Sequence, residues 1–121
     1  MKIVLLDDDE WFAASLANSL GHFGAEVTIE NNPRAVFDLI DNDSPDVLVC
    51  DWHLGADNVM TLLNEMASYN DTLVLPKIIL SASGRAIKLE DIAAFGVKFV
   101  FDKSTYNLAD LKQAIWNCRH E

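Results

Sequence analysis

The sequence predicts an α/β domain: a five-stranded parallel sheet with helices on both faces. Two observations predict it. Residues 3–6, 47–50 and 78–80, with shorter stretches at 27–29 and 99–101, form apolar runs of strand length. Strands that are apolar at every position are buried on both faces. Between these runs the apolar residues fall at helical spacing, so the element order is βαβαβαβαβα and the crossovers are right-handed.

Each element has a local signature. The first strand leads into a stripe of Phe12, Leu16, Leu20 and Phe23, and the second into Val36, Leu39 and Ile40. That second helix starts credibly at Asn32, an N-cap residue, with Pro33 at the first helical position. After the third strand come Val59, Leu62, Leu63 and Met66; after the fourth, a weaker pattern of Leu89, Ile92 and Ala93. The fifth strand precedes Leu108, Leu111, Ile115 and Cys118, with Asn107 and Asp110 approximating a capping box.

Composition sets outer bounds. At 121 residues one domain over 1–121 is expected, with no residues left over for an effector domain. Half the residues are hydrophobic, against three prolines and five glycines, which excludes a disordered chain. No apolar run approaches the ~20 residues of a membrane span and the Met1 end lacks signal-peptide architecture, so a cytoplasmic location is expected. Cys50 and Cys118 lie in apolar patterns that suit reduced, buried thiols, and no disulfide framework or zinc spacing exists. The net charge is −10, from nineteen acids against nine scattered bases. Nucleic-acid binding needs a basic footprint, so a protein partner or a cation fits better.

The segment VLLDDDE, residues 4–10, crowds carboxylates at the end of an apolar strand. Like charges in a partly dry cleft repel unless a positive charge joins them. In parallel α/β sheets the strand ends converge on one rim. That rim would gather Asp7 and Asp8 from the first strand, Asp51 from the third, Ser81 from the fourth and Lys103 from the fifth. Oxygen ligands at this density favour Mg²⁺ or Mn²⁺.

Four pieces in order make the resemblance specific: the acidic pair in VLLDDDE, PDVLVCDWHL around Asp51, KIILSAS containing Ser81, and FVFDKS carrying Lys103. Thirty positions separate Asp51 from Ser81 and twenty-two separate Ser81 from Lys103. Over essentially its whole length the chain resembles the receiver domain of two-component response regulators. The resemblance implies a (βα)5 flavodoxin-like fold with strand order 2-1-3-4-5. It also implies Mg²⁺-dependent acceptance of a phosphoryl group onto Asp51 from a phosphohistidine of a sensor histidine kinase or phosphotransfer protein. Downstream protein binding would switch in consequence, and slow autodephosphorylation would be the only chemistry. Asp8, Asp51 and the backbone carbonyl of His53 would then ligate the metal, and Asp7 would act through water. Lys103 and the Ser81 hydroxyl would contact the phosphoryl oxygens.

Several positions depart from the family pattern. Ser104 replaces the usual proline after the lysine, so the Lys103–Ser104 peptide is either strained cis or trans. Val100 stands where an aromatic usually switches rotamer, leaving Phe99, Phe101 or Tyr106 to carry output or simply to pack. Gly55 replaces a proline in HLGADN, and Ser83 competes for the Ser81 role. His53 is placed to flank attacking water, with a solvated loop histidine as the plainer reading. Asp9 or Glu10 fits a helix cap. Trp11, about 100° around the helix from Phe12, resembles a docking position together with Ala14, and Trp116 is similarly offset. Two rivals fit part of the pattern. One is a degenerate receiver that binds partners without phosphorylation. The other is a haloacid-dehalogenase-like phosphohydrolase using Asp7 as nucleophile and Asp9 as acid/base; it would leave Asp51 without a role.

Overall fold

The computed structural model describes residues 1–54, 57–82 and 86–120. Five parallel strands form the main sheet: β1 (Lys2–Leu6), β2 (Glu26–Glu30), β3 (Val47–Cys50), β6 (Lys77–Ser81) and β7 (Val97–Asp102), in the order β2-β1-β3-β6-β7. Two-residue strands β4 (His53–Leu54) and β5 (Asp57–Asn58) pair only with each other. Setting that ribbon aside, the order is the 2-1-3-4-5 that the family resemblance implies.

Alternation along the strands explains why they read as continuous apolar runs. Ile3, Leu5, Val47, Val49, Ile78 and Leu80 pack against α1 (Glu10–Gly21) and α6 (Leu108–His120). Val4, Leu6, Leu48, Cys50 and Ile79 face the opposite layer of α2 (Val36–Asp43), α3 (Met60–Ala67) and α5 (Leu89–Ile92). Successive side chains point to opposite faces, and both faces are covered. Burying each such side chain contributes about 1.5–3 kcal/mol.

Helix starts follow their caps. The Asp9 carboxylate accepts the Phe12 N–H at 3.0 Å, Asn32 accepts Arg34 N–H at 3.0 Å, and Asn107 accepts Ala109 N–H at 2.8 Å. Pro33 opens a 3₁₀ turn that runs into α2.

Four elements differ from expectation. The buried stripe of α1 is Ala13, Leu16 and Leu20; Phe12 is half-buried, and Phe23 lies beyond the helix, exposed. The helix expected around Leu89 is only four residues long and buries Ile92 alone. A further short helix, α4 (Asn70–Val74), precedes β6. The pairing of β6 with β7 shifts by one residue between Lys77 and Ile78. That irregularity puts Val97 and Val100 on the α3–α5 side and Phe99 and Phe101 on the α1–α6 side.

Among the described residues no helix is long and apolar enough to cross a membrane. Cys50 and Cys118 are buried thiols that are not joined in a disulfide.

Candidate functional site

The sheet ladder continues one residue past three strand ends and so fixes the rim. Asp7 N–H donates to Glu30 O at 3.0 Å, Asp51 N–H to Leu6 O at 2.9 Å, and Lys103 N–H to Ser81 O at 2.9 Å. Backbone bonds between neighbouring strands therefore bring together residues that lie far apart in sequence.

Asp7, Asp8 and Asp51 each place a carboxylate oxygen within 4.8 Å of the others. Asp7 and Asp51 are 2% and 7% exposed, whereas Asp8 is exposed. Lys103 Nζ bridges the buried pair, 2.8 Å from Asp7 Oδ2 and 3.2 Å from Asp51 Oδ2. The remaining oxygens meet the backbone: Asp7 Oδ1 accepts Asp9 N–H at 2.8 Å, and Asp51 Oδ1 accepts His53 N–H at 3.4 Å.

Electrostatics follow from this packing. Burial raises the Asp7 pKa, against the pull of the Lys103 hydrogen bond and the Asp9 N–H, and the Asp51 charge adds to the rise. Burial by itself pulls Lys103 down, but the hydrogen bond and charge of Asp7, followed by those of Asp51, outweigh it and raise its pKa. Lys103 is therefore a fixed cation. Three carboxylates gather around one ammonium, an excess of acidic groups that a divalent cation would offset. The donor set is all oxygen, with Asp8 open to solvent, and it fits a hard ion such as Mg²⁺.

Each expected residue has a definite place. Asp7, Asp8, Asp51 and Lys103 converge as the sequence led us to expect. Ser81 closes β6 and is fully buried, its carbonyl holding the Lys103 N–H. His53 lies in β4 with its side chain exposed and its N–H on Asp51. Ser83 and Gly55 lie outside the described residues.

The Lys103–Ser104 peptide is trans. The loop reaches this form by a different device: the Asp102 carboxylate accepts the Ser104 N–H at 2.8 Å and also its hydroxyl. Asp102 O then accepts the N–H groups of Thr105 and Tyr106. Proline has no N–H and cannot make this Asx turn. Val100 packs into the α2–α3–α5 layer, while the rings of Phe99 and Phe101 stack at 6.3 Å on the other.

Sequence reasoning missed one participant. The Phe12 ring lies 4.4 Å from Lys103 Nζ, and Tyr106 meets that ring edge-on at 6.1 Å. Helical spacing marked Phe12 as core; only tertiary placement puts it under the ammonium.

In the phosphohydrolase scheme the nucleophile, Asp7, would be the more deeply buried of the two carboxylates, at 2% exposed against 7% for Asp51. Asp9, the acid/base of that scheme, has an oxygen committed to capping α1.

Comparison with known proteins agrees with the fold and with the family. Residues 3–116 match the family described as response regulator receiver domain. A sensor protein from Polaromonas sp. JS666 superimposes with a TM-score of 0.89 at 17% identity, covering 98% of this chain and 95% of that one. The Francisella response regulator 1452 receiver domain gives 0.82 at 22%, with 98% and 96% covered. The receiver domain of the sensor histidine kinase PA1611 from Pseudomonas aeruginosa PAO1, with a magnesium ion coordinated in its active site cleft, gives 0.84 at 17%, with 99% and 98% covered. No curated protein matches the sequence significantly. Over nearly all of its length, and with an acidic cluster at the sheet's carboxyl end, the chain belongs to the response regulator receiver domain family, the phosphorelay signalling modules of two-component systems.

Proposed function

We propose that Asp51 accepts a phosphoryl group from a phosphohistidine of a sensor histidine kinase or phosphotransfer protein, and that this acylphosphate switches the binding of a downstream protein. One observation carries the reading: the Asp51 carboxylate stands at a strand end beside Asp7 and Asp8, with the Lys103 ammonium 3.2 Å away. An Asp51 carboxylate oxygen attacks phosphorus, the P–N bond breaks, and the imidazole leaves with the bond pair.

Phosphoryl transfer depends on positioning and on neutralising charge at the equatorial oxygens. Lys103, freed from one of its two carboxylates, turns to those oxygens as a point charge. The Ser81 hydroxyl donates to another. Asp8, Asp51 and the His53 backbone carbonyl would hold Mg²⁺, or Mn²⁺ in its place, and Asp7 would act through a water. The bound ion supplies positive charge to a site that would otherwise repel an incoming phosphate. His53, with its side chain exposed beside the acceptor, flanks the route of hydrolytic water. The Asp102–Ser104 turn does for Lys103 what the family's proline does elsewhere.

Acetyl phosphate tests the reading. With Mg²⁺ the wild type should take up one phosphoryl group per chain, while Asp51→Asn and chelator-treated protein take up none. Labelling absent from wild type would favour a phosphorylation-independent adaptor. Continuous turnover surviving Asp51→Asn would favour a hydrolase.

A further inference from the structure

At the end of the sheet opposite the acidic rim, a groove of about 790 Å³ opens between the end of α1 and the face of α6. Phe23 and Trp116, 60% and 56% exposed, form its walls, and Ile3 and Leu20 lie at its base. Among the described residues Lys112 and Arg119 line it and no carboxylate does, although the chain as a whole carries a charge of −10. Lys112 Nζ sits over the Phe23 ring at 2.9 Å. Arg119 gives one nitrogen to Asp46 at 2.9 Å, and a guanidinium has five N–H donors in all. The groove is thus aromatic and cationic on an acidic molecule.

The complementary feature lies at the other end of α1. Trp11 is 90% exposed, and the three residues before it, Asp8, Asp9 and Glu10, are all exposed acids. An indole ring preceded by carboxylates is the chemistry that an aromatic groove bordered by lysine and arginine recognises. We propose that the groove receives Trp11 of a second copy of this chain, with the acids before Trp11 facing Lys112 and Arg119.

Because the knob and the groove sit at opposite ends of α1, the contact is head-to-tail. A copy engaged at one end still offers its other feature, so association continues beyond a dimer into an open chain. The charged component makes it sensitive to salt. It requires neither metal nor phosphoryl group, so chelated protein tests it apart from the proposed chemistry at Asp51, although Asp8 belongs to both.

Sedimentation velocity on chelator-treated protein, from micromolar to millimolar concentration, tests this. Wild type should grow past the dimer with concentration and revert towards monomer in high salt. Trp11→Ala and Trp116→Ala should each remain monomeric, with far-UV circular dichroism confirming the fold. Mixed together, they should form a 1:1 dimer that grows no further, since one retains the groove and the other retains the knob. Lys112→Glu, a surface change, should weaken association by about tenfold or more. A wild type that is monomeric throughout, a Trp11→Ala variant that associates like wild type, or folded single variants that fail to pair when mixed would each overturn the proposal.

Discussion

Lys103 holds two buried carboxylates with one ammonium, and its loop is built to keep it there. The Asp102 side chain ties down the Ser104 backbone immediately after the lysine, and Phe12 supports the ammonium from below. Replacing Asp102 by Ala removes that tie but no group from the acidic cluster. Acetyl-phosphate labelling of Asp51 should then slow by up to roughly 100-fold, the scale on which misplacing a reacting group costs rate. Lys103→Ala should slow it further, by about 10²–10³-fold, as when a preorganised donor is removed. Stopped-flow labelling rates for the two variants distinguish loss of position from loss of charge. If Asp102→Ala labels at the wild-type rate, the turn does not position Lys103.

Among the elements, α4 and the start of β6 hold the least expected interaction. Lys77 is completely buried, and its Nζ donates to the carbonyls of Thr72 at 2.7 Å, Leu73 at 3.3 Å and Leu75 at 2.7 Å. Three acceptors match the three protons of an ammonium and satisfy carbonyls at the end of α4 that have no partner within the helix. Gly96 lies against this nest with φ +85°, where an added Cβ would fall 2.5 Å from Leu73 O and 2.9 Å from Lys77 Nζ. Burial lowers the Lys77 pKa to about 8, from a usual 10.5. Between those values the unfolded chain binds a proton that the folded one does not, so this group makes stability rise with pH from about 8 to 10.5. Lys77→Met should cost about 1–3 kcal/mol by leaving acceptors unpaired, and its urea midpoint should lack that rise. Urea unfolding at pH 7.5 and at pH 10 checks both, with the gap between wild type and variant widening at the higher pH. A further change belongs at the end of α2, where Ser44 caps the helix in the left-handed region at φ 48°. Ser44→Gly should gain about 1 kcal/mol in the same assay.

At the scale of the whole molecule, the acidic rim is a local concentration of a general excess. Nineteen acids against nine bases repel one another in the compact state, and the three rim carboxylates do so at close range with one lysine among them. Mg²⁺ bound there should therefore stabilise the fold. At free Mg²⁺ a hundredfold above its Kd the gain is about 2.7 kcal/mol, a shift of several degrees in Tm for a domain of this size. Thermal melts with and without chelator check it. The shift should nearly vanish in Asp8→Asn, whereas equal melts for wild type under both conditions would remove the metal from the site.

The sequence by itself determined the parallel sheet and four members of the rim, while the strand order came from the family resemblance. Doubly covered strands must be apolar throughout, so IVLL at 3–6 and VLVC at 47–50 betray their position without any contact being known. Asp7, Asp51 and Lys103 were legible because each directly follows a strand, with Asp8 one residue further on, where the topology leaves them on one rim. The brevity of α5 and the existence of α4 were not legible, because short helices owe their stability to packing and not to local propensity. Lys77 read as an ordinary polar residue at a strand start until the fold wrapped three carbonyls around it. The trans Lys103–Ser104 peptide and the Phe12 ring under the ammonium were likewise settled by tertiary structure alone. Both depend on where distant backbone segments lie, and periodicity along one chain carries no information about that distance.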